Sequence, residues 1–394
     1  MSADPAPNPP PLRIVCLNSA LTGGGTDDQC VRQAAQISRL GQRVVIAGPG
    51  ARSMEPVMAA LGAPFFDTGP KFSKGSFILR AARLIRSGRF QIVHGHHGRD
   101  YWPAILAARL SGTRPKIVLT RHLAKSPGSW ASRHFLLGQC DALVAVSEFV
   151  ARVLREGALE PGSPDPERRV RAPIRGDTAK IHVIHGGIDT ARFRPLDASA
   201  TRRELGLAPE DYAFAVVGGF DLPRGKGQRE FLEAAAHVRA RLPRARFLII
   251  GRGSMEEQLR ADIARLGLGG SARLVGQRGD MPEVMNAMDC LVHPQIGTEA
   301  FGLVVCEAHA CGKPAIASAL DGIPEAFTAG GYGRLVEPEN VAQLADAMIA
   351  QAAQPPLDAS GVTALRARVE QAFSIERSAV ELLRLYRQLV GLSV

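Results

Sequence analysis

Two α/β domains, each a doubly wound parallel sheet covered by helices on both faces, are what this sequence predicts. Three observations predict them. Short apolar, β-forming runs alternate with amphipathic helical stretches along most of the chain; a glycine-rich turn follows the first strand of each half; and 394 residues exceed what a single core ordinarily holds.

The first half opens on the apolar run Leu12 to Leu17, followed by Gly23, Gly24 and Gly25, and then by Asp27 and Asp28 at the start of an amphipathic stretch reaching Leu40. Gly41 closes that helix and Arg43 to Ala47 begins the next strand, which completes a right-handed βαβ unit. Further strands are expected near Phe65 and at 91–94, 116–120, 142–146 and 180–184. A Pro- and Arg-rich stretch from Glu160 to Thr178 interrupts the rhythm and reads as a surface loop. The segment Gly186 to Pro195 reads as the linker. The second half repeats the pattern: strand 213–217, helix 228–242, strand 246–250, helix 255–266, then strands 273–275, 290–293 and 315–317. A last helix, about Ile375 to Leu389, adds no strand and is free to pack across the domains. The expected division is a disordered tail 1–11, an N-terminal domain 12–187, a C-terminal domain 188–372 and a crossing helix 373–394.

Composition narrows the class. Hydrophobic residues at 45% and charged residues at 22% suit a soluble globular protein, and aromatics at 5% argue against an aromatic nucleic-acid platform. No run approaches the ~20 apolar residues of a membrane-spanning helix. The Pro-rich start lacks the basic and apolar regions of a signal peptide. The six cysteines sit in apolar segments without zinc-type spacing, so reduced thiols, a cytoplasmic location and no bound metal are expected. A net charge of +10 implies attraction to anionic partners, including an acidic membrane surface, although cations spread over solvated helix faces would give the same total.

Ligands of open α/β sheets bind beyond the carboxyl ends of the strands, so the residues there are the candidates, in a cleft between two facing domains. Glu299 precedes a helix expected to begin near Phe301 and to carry Glu307. Its N-terminus, approached through Gly302, can offer the backbone of Phe301 to Leu303 to a diphosphate oxygen, with Glu307 on ribose hydroxyls and Glu299 on the sugar. In an arbitrary helix the same spacing is more often an N-cap and a solvated glutamate. The loop Val217 to Gly227 brings Arg224 and Lys226, two cations able to neutralise a leaving diphosphate without a metal, or simply two solvated side chains. In the first half, Gly24 and Gly25, His96 and His122 follow strands; a lone histidine in such a place is more often structural.

The stretch Leu291 to Glu325 resembles the donor signature of family 4 retaining glycosyltransferases, and similar matches occur at 142–150, 185–195 and 251–253. Together they span most of residues 12 to about 336. The resemblance implies the GT-B architecture of two Rossmann-like domains. It also implies a transferase that moves a hexose or related sugar from a nucleoside-diphosphate sugar to a glycan or lipid-linked acceptor, with lipopolysaccharide-type envelope synthesis as the setting and the protein peripheral at the inner membrane face. On this likeness Lys226, Glu299 and His122 are catalytic; Gly24, Gly25, Arg224, Gly253, Phe301, Gly302, Leu303 and Glu307 join them around the donor; and His96 faces the acceptor. The family carries an arginine five or six residues before the lysine, where this chain has Asp221 and Phe220. Competing readings are an epimerase of the same architecture, a dinucleotide oxidoreductase, for which a complete Gly-x-Gly-x-x-Gly is lacking, and a basic nucleic-acid-binding protein, for which no recognisable module is present.

Overall fold

The computed structural model describes residues 10–49, 54–69, 74–158, 172–222 and 225–392. Most of the proline-rich tail, residues 159–171 of the Pro- and Arg-rich stretch, and Arg224 lie outside them. The chain forms two compact units that part between Gly187 and Ile188.

Unit 1 holds seven parallel strands: β1 (Arg13–Leu17), β2 (Arg43–Gly48), β3 (Phe65–Asp67), β4 (Ile92–Gly95), β5 (Lys116–Arg121), β6 (Ala142–Ala145) and β7 (Ile181–Val183). Their order is β3-β2-β1-β4-β5-β6-β7. Because the chain winds outward in both directions from β1, the loops after β1 and β4 diverge and open a crevice at their carboxyl ends. The helix Gly25–Arg39 packs through Cys30, Val31, Ala34 and Ala35 against a core that includes Ile14, Cys16 and Ile46. The C-terminal helix Ile375–Leu389 belongs to this unit. It buries Leu382, Leu385 and Tyr386 in the same core. Polar contacts fix it: Gln33 donates to Ser378 Oγ (2.8 Å), and Ser378 donates to the His185 carbonyl (2.8 Å).

Unit 2 holds six parallel strands: β8 (Tyr212–Val217), β9 (Ala245–Ile250), β10 (Ala272–Gly276), β11 (Cys290–His293), β12 (Ala315–Ser318) and β13 (Gly333–Val336). Their order, β10-β9-β8-β11-β12-β13, repeats β3-β2-β1-β4-β5-β6 of unit 1 without the edge strand β7. Both faces of the sheet are buried, which is why its strands read as continuous apolar runs. In β8, Ala213 and Ala215 join one core while Phe214 and Val216 join the other. Large side chains such as Phe214, Phe231 and Phe247, all fully buried, contribute about 1.5–3 kcal/mol each through removal from water. Among the elements that go beyond the sequence reading are the edge strand β13 and the helices Val341–Ala352 and Ala359–Phe373. The last two are capped by Asn340 and Asp358, whose side chains accept from the amides of Gln343 and Gly361.

All six cysteines are buried free thiols. No helix among the described residues is long and apolar enough to cross a membrane.

Candidate functional site

In unit 2 the loops after β8 and β11 meet at the switch point of the sheet. The first runs to Gly227, the N-cap of the helix Gln228–Arg241, in a left-handed conformation with φ 81°. A side chain there would put its Cβ 1.8 Å from the carbonyl oxygen of Pro294, so only glycine lets the two loops touch. Lys226 is thereby held against the chain that follows β11, and its Nζ lies 2.6 Å from Glu299 Oε2. Gln228 supports the turn by accepting from the Lys226 amide (2.7 Å).

Glu299 sits three residues before Gly302, which is the N-cap of the helix Leu303–Ala310 with φ 95° and no side chain to cap the first amides. The expected start near Phe301 is thus displaced to Leu303. The amide of Phe301 donates to the Glu299 carboxylate, and its ring is buried edge-on against Phe373 at 4.9 Å. Leu303 packs on the core and Glu307 is half-buried one turn further on. Burial pushes the Glu299 carboxyl up, but Lys226 and the two hydrogen bonds outweigh it and hold it below the usual carboxylate range. Glu299 is therefore a carboxylate beside an ammonium, and the first turn of the neighbouring helix has no side-chain cap.

His293, at the end of β11, figures in the sequence analysis only as the end of a strand. Its Nε2 lies 3.9 Å from Glu299 Oε2, and burial, reinforced by Lys226, pushes its pKa down to about 4. It is a neutral ring against the ion pair. Asp221, one of the two residues where the resemblance leads to the expectation of an arginine, turns its carboxylate to the Ser254 amide (2.9 Å), while its carbonyl accepts from Gly225 (2.9 Å). The aspartate ties the β8 loop to the β9 loop. Gly253 completes that junction: a Cβ on it would stand 2.4 Å from the carbonyl of Phe220.

In unit 1 the loop after β1 folds around a buried carboxylate. Asp27 accepts from the amides of Thr22 (2.7 Å) and Gly23 (3.1 Å), from Asn18 Nδ2 (3.0 Å), and lies 2.8 Å from His97 Nε2. Burial alone would raise its pKa; His97, Asn18 and Thr22 reverse the balance and keep it ionised. The sequence reading took Asp27 only as a helix start. Gly24 is the N-cap and Gly25 the first residue of that helix, and a Cβ on either would meet no atom within 4 Å.

His96 follows β4 and is 1% exposed, with neither ring nitrogen conventionally hydrogen-bonded; Cys30 is a neighbour. Its ring lies tilted at 4.0 Å from that of His94 and stacked at 5.9 Å from that of His122. Burial, with His96, His97 and Arg121 nearby, keeps His122 neutral. Cys16, His94 and His96 present donor atoms within 4.8 Å of one another. Both His94 nitrogens, however, are taken by Tyr386 and Thr120, so the trio is a hydrogen-bonded core rather than a ready ligand set.

Residues 23–161 match the family described as Glycosyltransferase Family 4, and residues 211–354 match that described as Glycosyl transferases group 1. The D-inositol 3-phosphate glycosyltransferase of Mycobacterium leprae is 30% identical over 338 residues, covering 80% of this chain and 73% of its own. The chain belongs to glycosyltransferase family 4. This family member is accordingly a transferase of glycosyl groups. A glycosyltransferase from Rickettsia africae superimposes with a TM-score of 0.79 at 21% identity, over 97% of this chain and 100% of its own. Anabaena Alr3699/HepE, solved with UDP and glucose, gives 0.76 at 18% identity over 96% and 100%. With two parallel-sheet α/β units, these likenesses make the fold GT-B.

Proposed function

We propose that this glycosyltransferase takes a hexose or related sugar from a nucleoside-diphosphate sugar held in unit 2 and transfers it, with retention, to a glycan or lipid-linked acceptor. The observation that carries the reading is the Lys226–Glu299 pair at 2.6 Å between two helix N-termini at the switch point of the sheet. On entry, the diphosphate takes Lys226 as its counter-ion and the uncapped first turn after Gly302 as an amide donor. Glu299, released from the lysine, accepts from sugar hydroxyls, and Glu307 from the ribose. The bond from the anomeric carbon to the diphosphate oxygen breaks with its electron pair leaving on the diphosphate. The acceptor hydroxyl then attacks from the same face, and its proton passes to a phosphate oxygen. Charge compensation rests on Lys226, on backbone dipoles and, in this reading, on Arg224, so no metal is called for.

A uridine diphosphate sugar is the first donor to test, given the ligands of the Anabaena neighbour. The mycobacterial relative is named for a phosphorylated polyol, and an anionic acceptor, such as a phosphorylated or lipid-linked glycan of the bacterial envelope, suits a chain of net charge +10. Thermal-shift screening against UDP-, GDP- and ADP-sugars reads the donor, because a ligand of the folded state raises stability by mass action. Lys226→Ala and Glu299→Ala, assayed for sugar transfer with EDTA present, lose activity by orders of magnitude while folding stays intact. Near-wild-type transfer by both variants rejects the site, and abolition of wild-type transfer by EDTA rejects the metal-free account.

A further inference from the structure

The exposed apolar surface of this protein is unevenly placed. Of nine large hydrophobic side chains exposed among the described residues, five fall within 101–140: Leu106, Leu110, Leu123, Trp130 and Phe135. That stretch carries six Lys or Arg residues and no Asp or Glu. The acids at its borders add no negative field, since Asp100 is fully buried and Asp141 is paired with Lys116 at 3.0 Å. Arg109, Arg114 and Lys125 are exposed and Arg133 is half-buried.

The topology gathers these residues. Successive right-handed crossovers from β4 to β5 to β6 put the helices Tyr101–Leu110 and Trp130–Gln139 on the same face of the unit 1 sheet. They touch: Trp102 Nε1 donates to Ser132 Oγ at 2.9 Å, and Arg109 to Gln139. Trp130, 61% exposed, stacks on His134 at 4.6 Å and meets Phe135 edge-on at 5.3 Å, so the aromatic tip is organised although it lies in solvent.

We infer that this face of unit 1 docks on an anionic lipid bilayer, Trp130, Phe135 and Leu123 entering the headgroup boundary and the surrounding cations meeting lipid phosphates. The inference rests on the lipid-linked form of the acceptor proposed above. An indole, a phenyl ring and leucines amid basic residues is the composition that partitions to an interface and is strengthened by acidic lipid. A protein partner would meet the same apolar groups. Cations without an intervening carboxylate, however, ask for a broad uniform negative field, which a bilayer supplies.

Co-sedimentation of the full chain with vesicles of phosphatidylcholine alone, and of phosphatidylcholine with phosphatidylglycerol, tests it. The wild type binds the mixed vesicles at low salt, loses binding at high salt, and ignores the neutral ones. Trp130→Ala with Phe135→Ala, and separately Lys125→Glu with Arg133→Glu, weaken binding by about tenfold or more, while the thermal shift with UDP is unchanged. Binding that is absent in the wild type, equal on neutral vesicles, or undiminished in both variants overturns the inference. So does a wild-type dimer that the aromatic variant converts to monomer, which would make the patch a self-contact. Vesicle binding without any nucleoside-diphosphate response leaves the docking face standing and rejects the donor reading; the reverse result rejects the face alone.

Discussion

A single atom's clearance decides much of the unit 2 site. Gly227 holds its loop 1.8 Å, in Cβ terms, from Pro294 O and keeps a positive φ. Gly227→Ala is expected to cost at least about 2 kcal/mol in urea unfolding, from left-handed strain and the clash together. It also weakens nucleotide binding, since Lys226 rides on the same turn; an unchanged urea midpoint would contradict the close approach. Lys226 and Glu299 are each useful because of the other. The ammonium keeps the carboxylate ionised against the pull of burial, and neutral His293 leaves no second positive charge to compete for it. In the proposed transfer each meets a different part of the donor, Lys226 the diphosphate and Glu299 the sugar, which is why both alanine variants are expected to fail.

At the level of elements, helix starts carry the work in both units. Ser147 caps the helix Glu148–Glu156, its hydroxyl accepting from the Val150 amide at 3.1 Å. Ser147→Ala should lose about 1 kcal/mol, read as a lower urea midpoint; a neutral result would mean that another acceptor replaces the hydroxyl. Gly302, by contrast, caps nothing with a side chain. A helix capped from within is a structural element, and one left open beside a lysine and a glutamate is suited to an anion. The sequence reading gives only the second of these starts, two residues early near Phe301, and not this difference in use.

For the whole molecule, the buried histidines set the response to acid. His293 and His309 are both pushed down to about 4 by burial, and both are 1% exposed or less. Their folded pKa values lie below the unfolded value of about 6.5, so the unfolded chain takes up protons first as pH falls. The stability they allow is fully present above about pH 6.5 and is lost as pH falls toward 4, by about 2 kcal/mol for each ring between pH 7 and pH 5. Urea unfolding at the two pH values checks the sign: a midpoint equal or higher at pH 5 would show that these rings are not held neutral. His94 and His122, also held neutral by burial, add in the same direction in unit 1.

The sequence by itself determined the alternation of strands and helices, the repeat of that alternation in two halves, and the strand ends where Lys226, Glu299 and Gly302 stand. Those features are local: runs buried on both faces, as in β8 and β9, announce themselves through neighbouring residues. Edge strand β13 did not, because Gly-Arg-Leu-Val is short and half-buried and has no unbroken apolar run. Tertiary structure alone decided which partner each of these polar groups meets. Lys226 meets Glu299 across 73 positions, His97 meets Asp27 across 70, and Asp221 turns to Ser254 across 33. Residues that far apart in sequence become neighbours only when the sheet orders its strands, and a buried charge is defined by such neighbours rather than by its own segment.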